Sequence, residues 1–334
     1  MTDTVTNKHK HRRRIGQFPS TQGRQSLPVD LVGPMTKLAV RLQFTESNGA
    51  TAPVGVLFQQ NARFMQRIEL NVQGKDTIWS ITPSFYAARR QYEGRGVPAR
   101  GMETVINAAA NQNTTVDLTI PLHFDLVRGR RRDDAAIDLR GVTLCQCSII
   151  FGSLAATDLW TTPGATVAIS AVSCSLEAEY ILNTDPAKDQ YVARELIELS
   201  YPITGSNNNF AFDVDARTGL AIRSLPLFFV TGNIGDDTLC PTSTGWIQLQ
   251  AGSRTFLNSE TAFIKAEARD ELELPAAQEL AGVDYIDVLQ FGQLASSIPT
   301  GKLDANLKFI ANVTFGAGPS QVVCQRESTR PLKI

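Results

Sequence analysis

IELNVQGKDTIWSITPSF at residues 68–85 and WIQLQAGSRTFLNSETAF at residues 246–263 are two versions of one sequence, aligned without a gap at an offset of 178. Gly74 aligns with Gly252, and Phe85 aligns with Phe263. Each version shows the alternation of apolar and polar residues that is typical of a strand, then a glycine turn, a second strand and the start of a helix. The chain therefore contains one structural unit twice.

A second pair of matching stretches follows the first pair in the same order. FGSLA at residues 151–155 corresponds to FGQLA at residues 291–295, and a long alternating strand follows each of them. The distance from the turn glycine to the second stretch differs, with 78 residues in the first half and 40 in the second. Because order and local setting are kept, we predict a tandem duplication of a β-rich domain.

The fold class follows from the period of the hydrophobic residues. Alternation with period two runs through residues 38–44 and again through residues 307–315, and strands do not alternate regularly with helices. Thr82-Pro83 is typical of a helix N-terminus. We predict an all-β chain of two tandem eight-stranded jelly rolls, at residues 29–185 and 186–316, each with one short helix.

Length and composition fit this architecture. The 334 residues, 43% of them hydrophobic and 19% charged, are enough for two cores. No apolar run reaches the roughly 18 residues of a membrane span, and we expect no secretory signal in the polar N-terminus. The five cysteines form no CxxC pair, and we expect them to be buried and reduced in a cytoplasm.

The ends of the chain differ from its body. Residues 1–24 carry six basic residues and one acid, a net charge of +5, which leaves −6 on the rest of the chain to give the total of −1. We predict a flexible arm over residues 1–28 and an extended tail over residues 317–334. Phosphates of nucleic acid or anionic lipid headgroups would attract this arm, although it could also serve only solubility. The predicted polyanion-contacting residues are Lys8, Lys10, Arg12, Arg13 and Arg14.

The sequence offers no catalytic set. Phosphate-binding loops, zinc-protease motifs and nucleophile elbows are absent. Of the three histidines, His9 and His11 fall in the predicted arm, and His123 stands alone in a predicted strand. We therefore predict a protein that is not an enzyme and has no metal site and no cofactor.

Four stretches of the sequence carry a resemblance to a known family. They are RIELNVQGKDTIWSITPSFYAARRQY at residues 67–92, PLHFDL at 121–126 with AAIDLRG at 135–141, and DVLQFGQLASSIPTGKLDANLKF at 287–309. Together with the doubling, they resemble the double jelly-roll major capsid proteins of icosahedral bacteriophages with an internal membrane, of the tectivirus and corticovirus type. The resemblance covers about residues 30–316, and no single motif within it is diagnostic.

The resemblance implies a structural protein of the virion, made in the host cytoplasm. It implies a homotrimer whose six jelly rolls form a pseudo-hexagonal capsomer, and capsomers that tile an icosahedral shell together with minor and vertex proteins. The basic arm would face the internal lipid membrane or the genome, and its contact with the genome would be non-specific.

Two other functions fit parts of the pattern. A carbohydrate-binding tandem β-sandwich protein would need a groove lined by aromatic side chains, whereas we expect Trp79 and Trp246 to lie in the core, and Trp160 is the third tryptophan. A single-jelly-roll capsid protein of an RNA virus, with a projecting domain, would also carry a basic arm. Its two halves would not superpose as equals.

Overall fold

The computed structural model describes residues 9–57, 59–74, 76–93, 99–124, 135–184, 191–203, 205–214, 220–231, 238–239, 244–275, 279–280, 282–288, 297–303, 305–313 and 320–331. Strands dominate this part of the chain, which contains two α-helices. Neither helix is long and apolar enough to cross a membrane. Lys8, Cys240 and the predicted FGQLA stretch at residues 291–295 lie outside the described residues.

The first half is a sandwich of two sheets built from eight main strands, three short ones and one helix. One sheet has the order β1-β11-β3-β7, and the four strands β2-β9-β5-β6 form the facing layer. The elements are β1 (His9–Gln17), β2 (Gly23–Pro28), β3 (Pro34–Ser47), β4 (Val54–Val56), β5 (Met65–Val72), β6 (Asp76–Ile81), α1 (Pro83–Glu93), β7 (Asn113–His123), β8 (Ile137–Asp138), β9 (Cys145–Phe151), β10 (Trp160–Thr162) and β11 (Ala168–Leu182).

The second half repeats this plan. One layer has the order β12-β21-β14, with β18 also paired to β14, and the facing sheet has the order β13-β20-β16-β17. The elements are β12 (Val192–Ile203), β13 (Asn207–Asp213), β14 (Ala221–Thr231), β15 (Thr238–Leu239), β16 (Thr244–Ala251), β17 (Arg254–Glu260), α2 (Thr261–Leu272), β18 (Val283–Asp287), β19 (Ile298–Pro299), β20 (Leu307–Val313) and β21 (Ser320–Pro331).

Strand order makes the two halves equivalent. In both the chain order and the sheet order, β1, β11, β3 and β7 correspond to β12, β21, β14 and β18, and β2, β9, β5 and β6 correspond to β13, β20, β16 and β17. Each half has its helix directly after the last strand of the repeated hairpin. The described residues thus confirm an all-β fold of two eight-stranded jelly rolls, each with one short helix.

The repeated sequence forms the repeated hairpin. Gly74 and Gly252 both turn the chain with positive φ, 70° and 56°, in the left-handed region that glycine tolerates best. Pro83 opens α1, as predicted, because its fixed φ suits the first helical turn. The hydroxyl of Thr82 instead donates to Glu198 Oε1 at 2.5 Å, so this side chain ties the helix start to β12 in the second jelly roll.

The two jelly rolls are joined through one continuous sheet. Strand β6 of the first pairs in parallel with β12 of the second, at Trp79 with Leu196 and at Ser80 with Ile197. Each jelly roll encloses its own apolar core. A third apolar cluster lies between them, where Phe85 in α1 packs near Phe228 in β14. The junction is therefore a packed interface with paired backbone.

The prediction of a flexible arm is wrong for the described residues, because the predicted arm contains β1 and β2. The tail predicted to be extended contains β21, an extended strand that lies between β12 and β14 in its sheet. Period-two hydrophobicity could not reveal β1, because His9 to Arg14 are all exposed on a strand held by backbone pairing to β11. In β21, charged side chains occupy buried positions, so the expected alternation is also missing.

Candidate functional site

Strand β1 holds four of the five predicted polyanion-contacting residues on an edge of the first jelly roll. Lys10, Arg12, Arg13 and Arg14 lie in this strand, and Lys8 lies outside the described residues. The side chains of Lys10, Arg12 and Arg13 are 54, 73 and 51% exposed. The basic charges thus have the fixed spacing of a strand.

Carboxylates already contact several of these cations. Glu179 in β11 accepts a hydrogen bond from Arg12 Nε at 3.0 Å and lies 3.5 Å from Lys10 Nζ, and Arg13 lies 2.9 Å from Asp30. Burial alone would raise the pKa of Glu179, but the Arg12 hydrogen bond and the Lys10 charge bring it below its ordinary value. A polyanion would compete with these pairs, and its contact with β1 stays a prediction.

A cleft of about 570 Å³ lies on the outer face of the β1-β11-β3-β7 sheet. Arg41 in β3 donates hydrogen bonds from Nε and Nη2 to the carboxylate of Asp117, at 2.7 and 2.8 Å, and this hydrogen bonding lowers the pKa of Asp117. We call this surface the basic cleft, because its charged lining residues are Arg12, Lys37, Arg41, Arg90 and Arg100, with Glu177 as the one acid among them.

The corresponding outer face of the second jelly roll contains a buried ionic cluster. Glu327 in β21 accepts hydrogen bonds from Arg194 Nε at 2.9 Å, from Arg223 Nη1 at 2.9 Å and from Arg89 Nη2. Arg89 comes from α1 of the first jelly roll, and its Nε donates to Glu93 Oε1 at 2.7 Å. All five of these side chains are at most 6% exposed, so the cluster is a buried contact between the halves.

Electrostatics keeps both acids of the cluster ionised. Burial alone would raise the pKa values of Glu93 and Glu327, but the positive charges of Arg89 and Arg194 lower both below the ordinary value. A buried charge costs several kcal/mol unless it is paired and hydrogen-bonded. The cluster therefore favours one relative position of α1 on the second jelly roll, because another position would leave buried charges unpaired.

Aromatic rings complete this contact. Phe85 lies 5.2 Å from Phe228 between ring centroids, and Tyr92 stacks on Tyr285 at 5.7 Å with an interplanar angle of 7°. Such aromatic pairs stabilise a contact beyond the burial of apolar area alone. The whole outer face of α1 thus binds the second jelly roll.

The described residues bring together no catalytic or metal-binding set. They contain no group of three or more histidine, cysteine, aspartate or glutamate side chains that could hold a metal ion. The backbone carbonyl of His123 accepts a hydrogen bond from Arg194 Nη1 at 2.6 Å, which gives this residue a place in the junction. The described cysteines are buried as predicted, and burial raises the pKa of Cys145, Cys174 and Cys324 to about 12, which keeps the thiols protonated.

The tryptophans line no exposed groove in the described structure. Trp79 and Trp160 are buried, and their indole N–H groups donate to Arg194 O and Glu46 Oε1. Trp246 is only half-buried, so the expectation that it lies fully in the core is wrong. These positions do not supply the row of exposed rings that a carbohydrate-binding surface needs.

Comparison with solved structures relates this architecture to known proteins. No protein-family model matches the chain, and no curated protein sequence matches it. The structure does match the STIV MCP, the capsid protein of Sulfolobus Turreted Icosahedral Virus, with a TM-score of 0.73 and 13% identity over 98% of this chain and 97% of that one. The fold is a double jelly roll.

Two further double jelly-roll structures are similar over nearly the whole chain. The major capsid protein P2 from Bacteriophage PM2 matches with a TM-score of 0.61 and 9% identity, over 97% of this chain and 99% of that chain. The Faustovirus major capsid protein matches with a TM-score of 0.64 and 8% identity, over 99% of this chain and 91% of that chain. At these identities the likeness establishes the fold.

The sequence patterns above do not identify the buried cluster. One short sequence repeat nevertheless points to it. Val322, Cys324 and Glu327 repeat the spacing of Val172, Cys174 and Glu177 at an offset of 150. The repeat is short, and it can be recognised only because β11 and β21 are equivalent strands.

The strand partners agree with this alignment. Cys174 lies opposite Leu42 in β3, and Cys324 lies opposite Leu227 in β14. On the other side, Glu179 lies opposite Arg12. Thr329, its equivalent at the same offset, lies opposite Arg194. Glu177 of the basic cleft is therefore the equivalent of Glu327, and Arg12 is the equivalent of Arg194.

Proposed function

We propose that this chain is a major capsid protein, a structural unit of a virion shell. The observation that carries the proposal is the double jelly roll itself, which matches solved capsid proteins over 97–99% of this chain. Both jelly rolls have the same strand order in the described residues, so both halves of the chain take part in the match.

The proposal includes a homotrimer. Three copies of a chain with two equivalent jelly rolls place six similar units around one axis, which gives a pseudo-hexagonal block that can tile an icosahedral shell. Neighbouring blocks and minor or vertex proteins would be the partners of such a block. The equivalence of strand order in the two halves supports this arrangement, because similar units can occupy alternate positions around the ring.

The proposal also includes a contact with phosphate groups of an internal membrane or the genome, made by Lys8 and by the β1 residues Lys10, Arg12, Arg13 and Arg14. The exposure of the described side chains supports this contact. Flotation with vesicles of anionic or neutral lipid, and binding to double-stranded DNA over a salt series, would separate the two targets. If the protein bound neither anionic vesicles nor DNA at low salt, this part of the proposal would be contradicted.

Light scattering on a sizing column tests the central part of the proposal. Three copies of 36.4 kDa give about 109 kDa, and we expect this mass at both low and high salt. A monomer at every concentration and salt tested would contradict the capsid proposal, because a shell block has to associate. Electron microscopy of the same fraction should show particles with a hexagonal outline.

A further inference from the structure

A cavity of about 180 Å³ lies between α2 and the strands on which this helix packs. We call it the α2 cavity. Its described lining comes from α2, β16, β17, β18 and β19 and is mostly apolar, with Leu257, Ile264, Leu272, Ile286 and Ile298 among its walls. A slightly smaller apolar cavity, of about 150 Å³, is large enough to hold a benzene molecule.

Aromatic rings fill the equivalent space in the first jelly roll. Trp79 in β6 and Tyr86 in α1 are both fully buried, and their ring centroids lie 5.7 Å apart. Phe124 adds a third ring, 5.0 Å from that of Trp79. The hydroxyl of Tyr86 donates a hydrogen bond to the carbonyl of Pro121 at 3.1 Å, which holds this ring in place.

The second jelly roll has smaller side chains at two of these positions. At the offset of 178, Leu257 is the equivalent of Trp79 and Ile264 is the equivalent of Tyr86. The strand pairing agrees, because Trp79 and Leu257 each lie opposite a buried leucine and beside the same irregularity in register. A smaller side chain leaves a cavity wherever the surrounding structure cannot close completely. The α2 cavity is therefore the space that two aromatic rings occupy in the other half.

Acidic residues line the solvent side of the α2 cavity. Glu267 and Glu271 are exposed residues of α2, and Asp287 at the end of β18 is the third acid in the lining. No lysine or arginine is among the described lining residues. One wall, the ring of Phe256, already contacts a cation, since the guanidinium of Arg254 lies 4.7 Å from its centroid. Apolar walls below several carboxylates suit an apolar body that carries a positive charge.

We propose that the α2 cavity binds a small organic cation, an amine whose apolar part is about the size of one aromatic ring with a short side chain. The apolar part would lie among Leu257, Ile264 and Ile298, and the ammonium group would lie near the three carboxylates. Bound amine would stabilise the folded second jelly roll by mass action. The inference does not depend on the capsid proposal, because the cavity belongs to one jelly roll of a single chain.

Titration of the full-length protein with 2-phenylethylamine tests the proposal. Calorimetry should give a dissociation constant of about 1 mM or lower, and the unfolding temperature should rise with the amine concentration. 2-Phenylethanol has a similar shape and no charge, so it should bind about threefold to tenfold more weakly. The anion 3-phenylpropionate should show no measurable binding.

Isoleucine methyl signals in NMR spectra locate the bound amine. Ile264, Ile286 and Ile298 line the α2 cavity, and their signals should shift during the titration. Ile68 and Ile149 lie in the core of the first jelly roll and should not respond. Shifts confined to the first jelly roll would overturn the location.

Two kinds of substitution separate the role of the walls from that of the charges. Ile264→Tyr gives α2 the ring that α1 has at Tyr86, and it should weaken binding of both the amine and the alcohol by about tenfold or more, because it fills the cavity. Glu267→Gln combined with Glu271→Gln should weaken amine binding by about threefold to tenfold and leave binding of the alcohol unchanged. Asp270→Asn is the matched control, since Asp270 is exposed in α2 and is not among the lining residues.

Each outcome supports or overturns a stated part of the proposal. Shifts at the three cavity isoleucines, with an amine preference that the double variant removes, support it. Equal affinity for the amine and the alcohol would overturn the choice of a cation. Unchanged binding in a folded Ile264→Tyr variant would overturn the location, and if this variant does not fold, the methyl shifts decide the location. Absence of binding of either probe at about 10 mM would overturn the cavity as a ligand site. The mass of the parent chain tests the capsid proposal separately.

Discussion

Helices α1 and α2 occupy the same place in their jelly rolls, and their surroundings differ. In α1 every residue from Pro83 to Arg89 is buried, whereas in α2 the buried residues are Thr261, Ile264, Ala268 and Leu272, a single stripe. In each helix, one side faces the helix's own jelly roll. The other face is covered in α1 because the second jelly roll lies against it.

This difference shows which residues of the duplicated unit have changed. Residues that face their own core stay apolar, as Tyr86 and Ile264 do. Residues on the opposite side of the helix differ in charge and burial, as from the buried Arg89 to the exposed Glu267. The same helix therefore has two surroundings, one covered by the second jelly roll and one exposed within the described chain.

The largest expected effect separates Glu327 from its equivalent Glu177. Glu327→Gln should lower the free energy of unfolding by about 3–5 kcal/mol, because it leaves buried arginines without their carboxylate. Glu177→Gln, at an exposed position, should change it by no more than about 0.5 kcal/mol. Urea unfolding of each variant and of the parent chain, at one protein concentration, measures both. Equal losses would break the comparison.

The next effect separates Phe85 from Phe263. Phe85→Ala should cost about 3 kcal/mol, since it opens a cavity between the jelly rolls. Phe263→Ala should change the stability by about 0.5 kcal/mol or less, because this ring is exposed within the described chain. Urea unfolding monitored by tryptophan fluorescence is suitable, because Trp79 lies beside the junction. A large loss for Phe263→Ala would mean that this ring packs within its own chain.

Acid should weaken the junction. The pKa values of Glu93 and Glu327 lie below the ordinary 4.5 in the folded chain, so their contribution to stability is present above about pH 4.5. It is lost as the pH falls through the folded pKa values. Unfolding at pH 7 and pH 3 should show a smaller acid loss in Glu93→Gln than in the parent chain.

Asp117→Asn is the control for the acid loss. The pKa of Asp117 is also lowered, but its pair with Arg41 is solvent-exposed and therefore contributes little to stability. This variant should keep most of the acid loss of the parent chain. The same acid loss in all three proteins would show that the buried cluster is not its source.

The smallest effect tests the equivalence of the two turns. Gly74→Ala and Gly252→Ala should each cost about 1 kcal/mol, because alanine is strained at positive φ. An added Cβ would meet Leu144 at 3.7 Å and Ala305 at 3.6 Å, which are ordinary contacts, so the cost should come from the backbone alone in both turns. Thermal unfolding of both variants checks this, and costs differing by more than about 1 kcal/mol would contradict equivalence.

The sequence predicts the features that local chemistry determines. The glycine turns, the strands that flank them and the proline at the start of α1 follow from short-range preferences, and so does the duplication that reveals two jelly rolls. Strand β1 escapes prediction because its basic residues are exposed and only its pairing with β11 makes it a strand. The sequence does not predict the buried cluster, because Arg194 and Glu327 are 133 residues apart and are brought together by the sheet.

An experimental structure of the protein tests the central claim most directly. The account predicts two jelly rolls of the same strand order, with Phe85 and Arg89 of α1 buried against the second jelly roll and Phe263 of α2 exposed within its own chain. A structure in which α1 lies away from Glu327, or in which Phe263 packs within its own chain, would contradict the claim that the two equivalent helices have different surroundings.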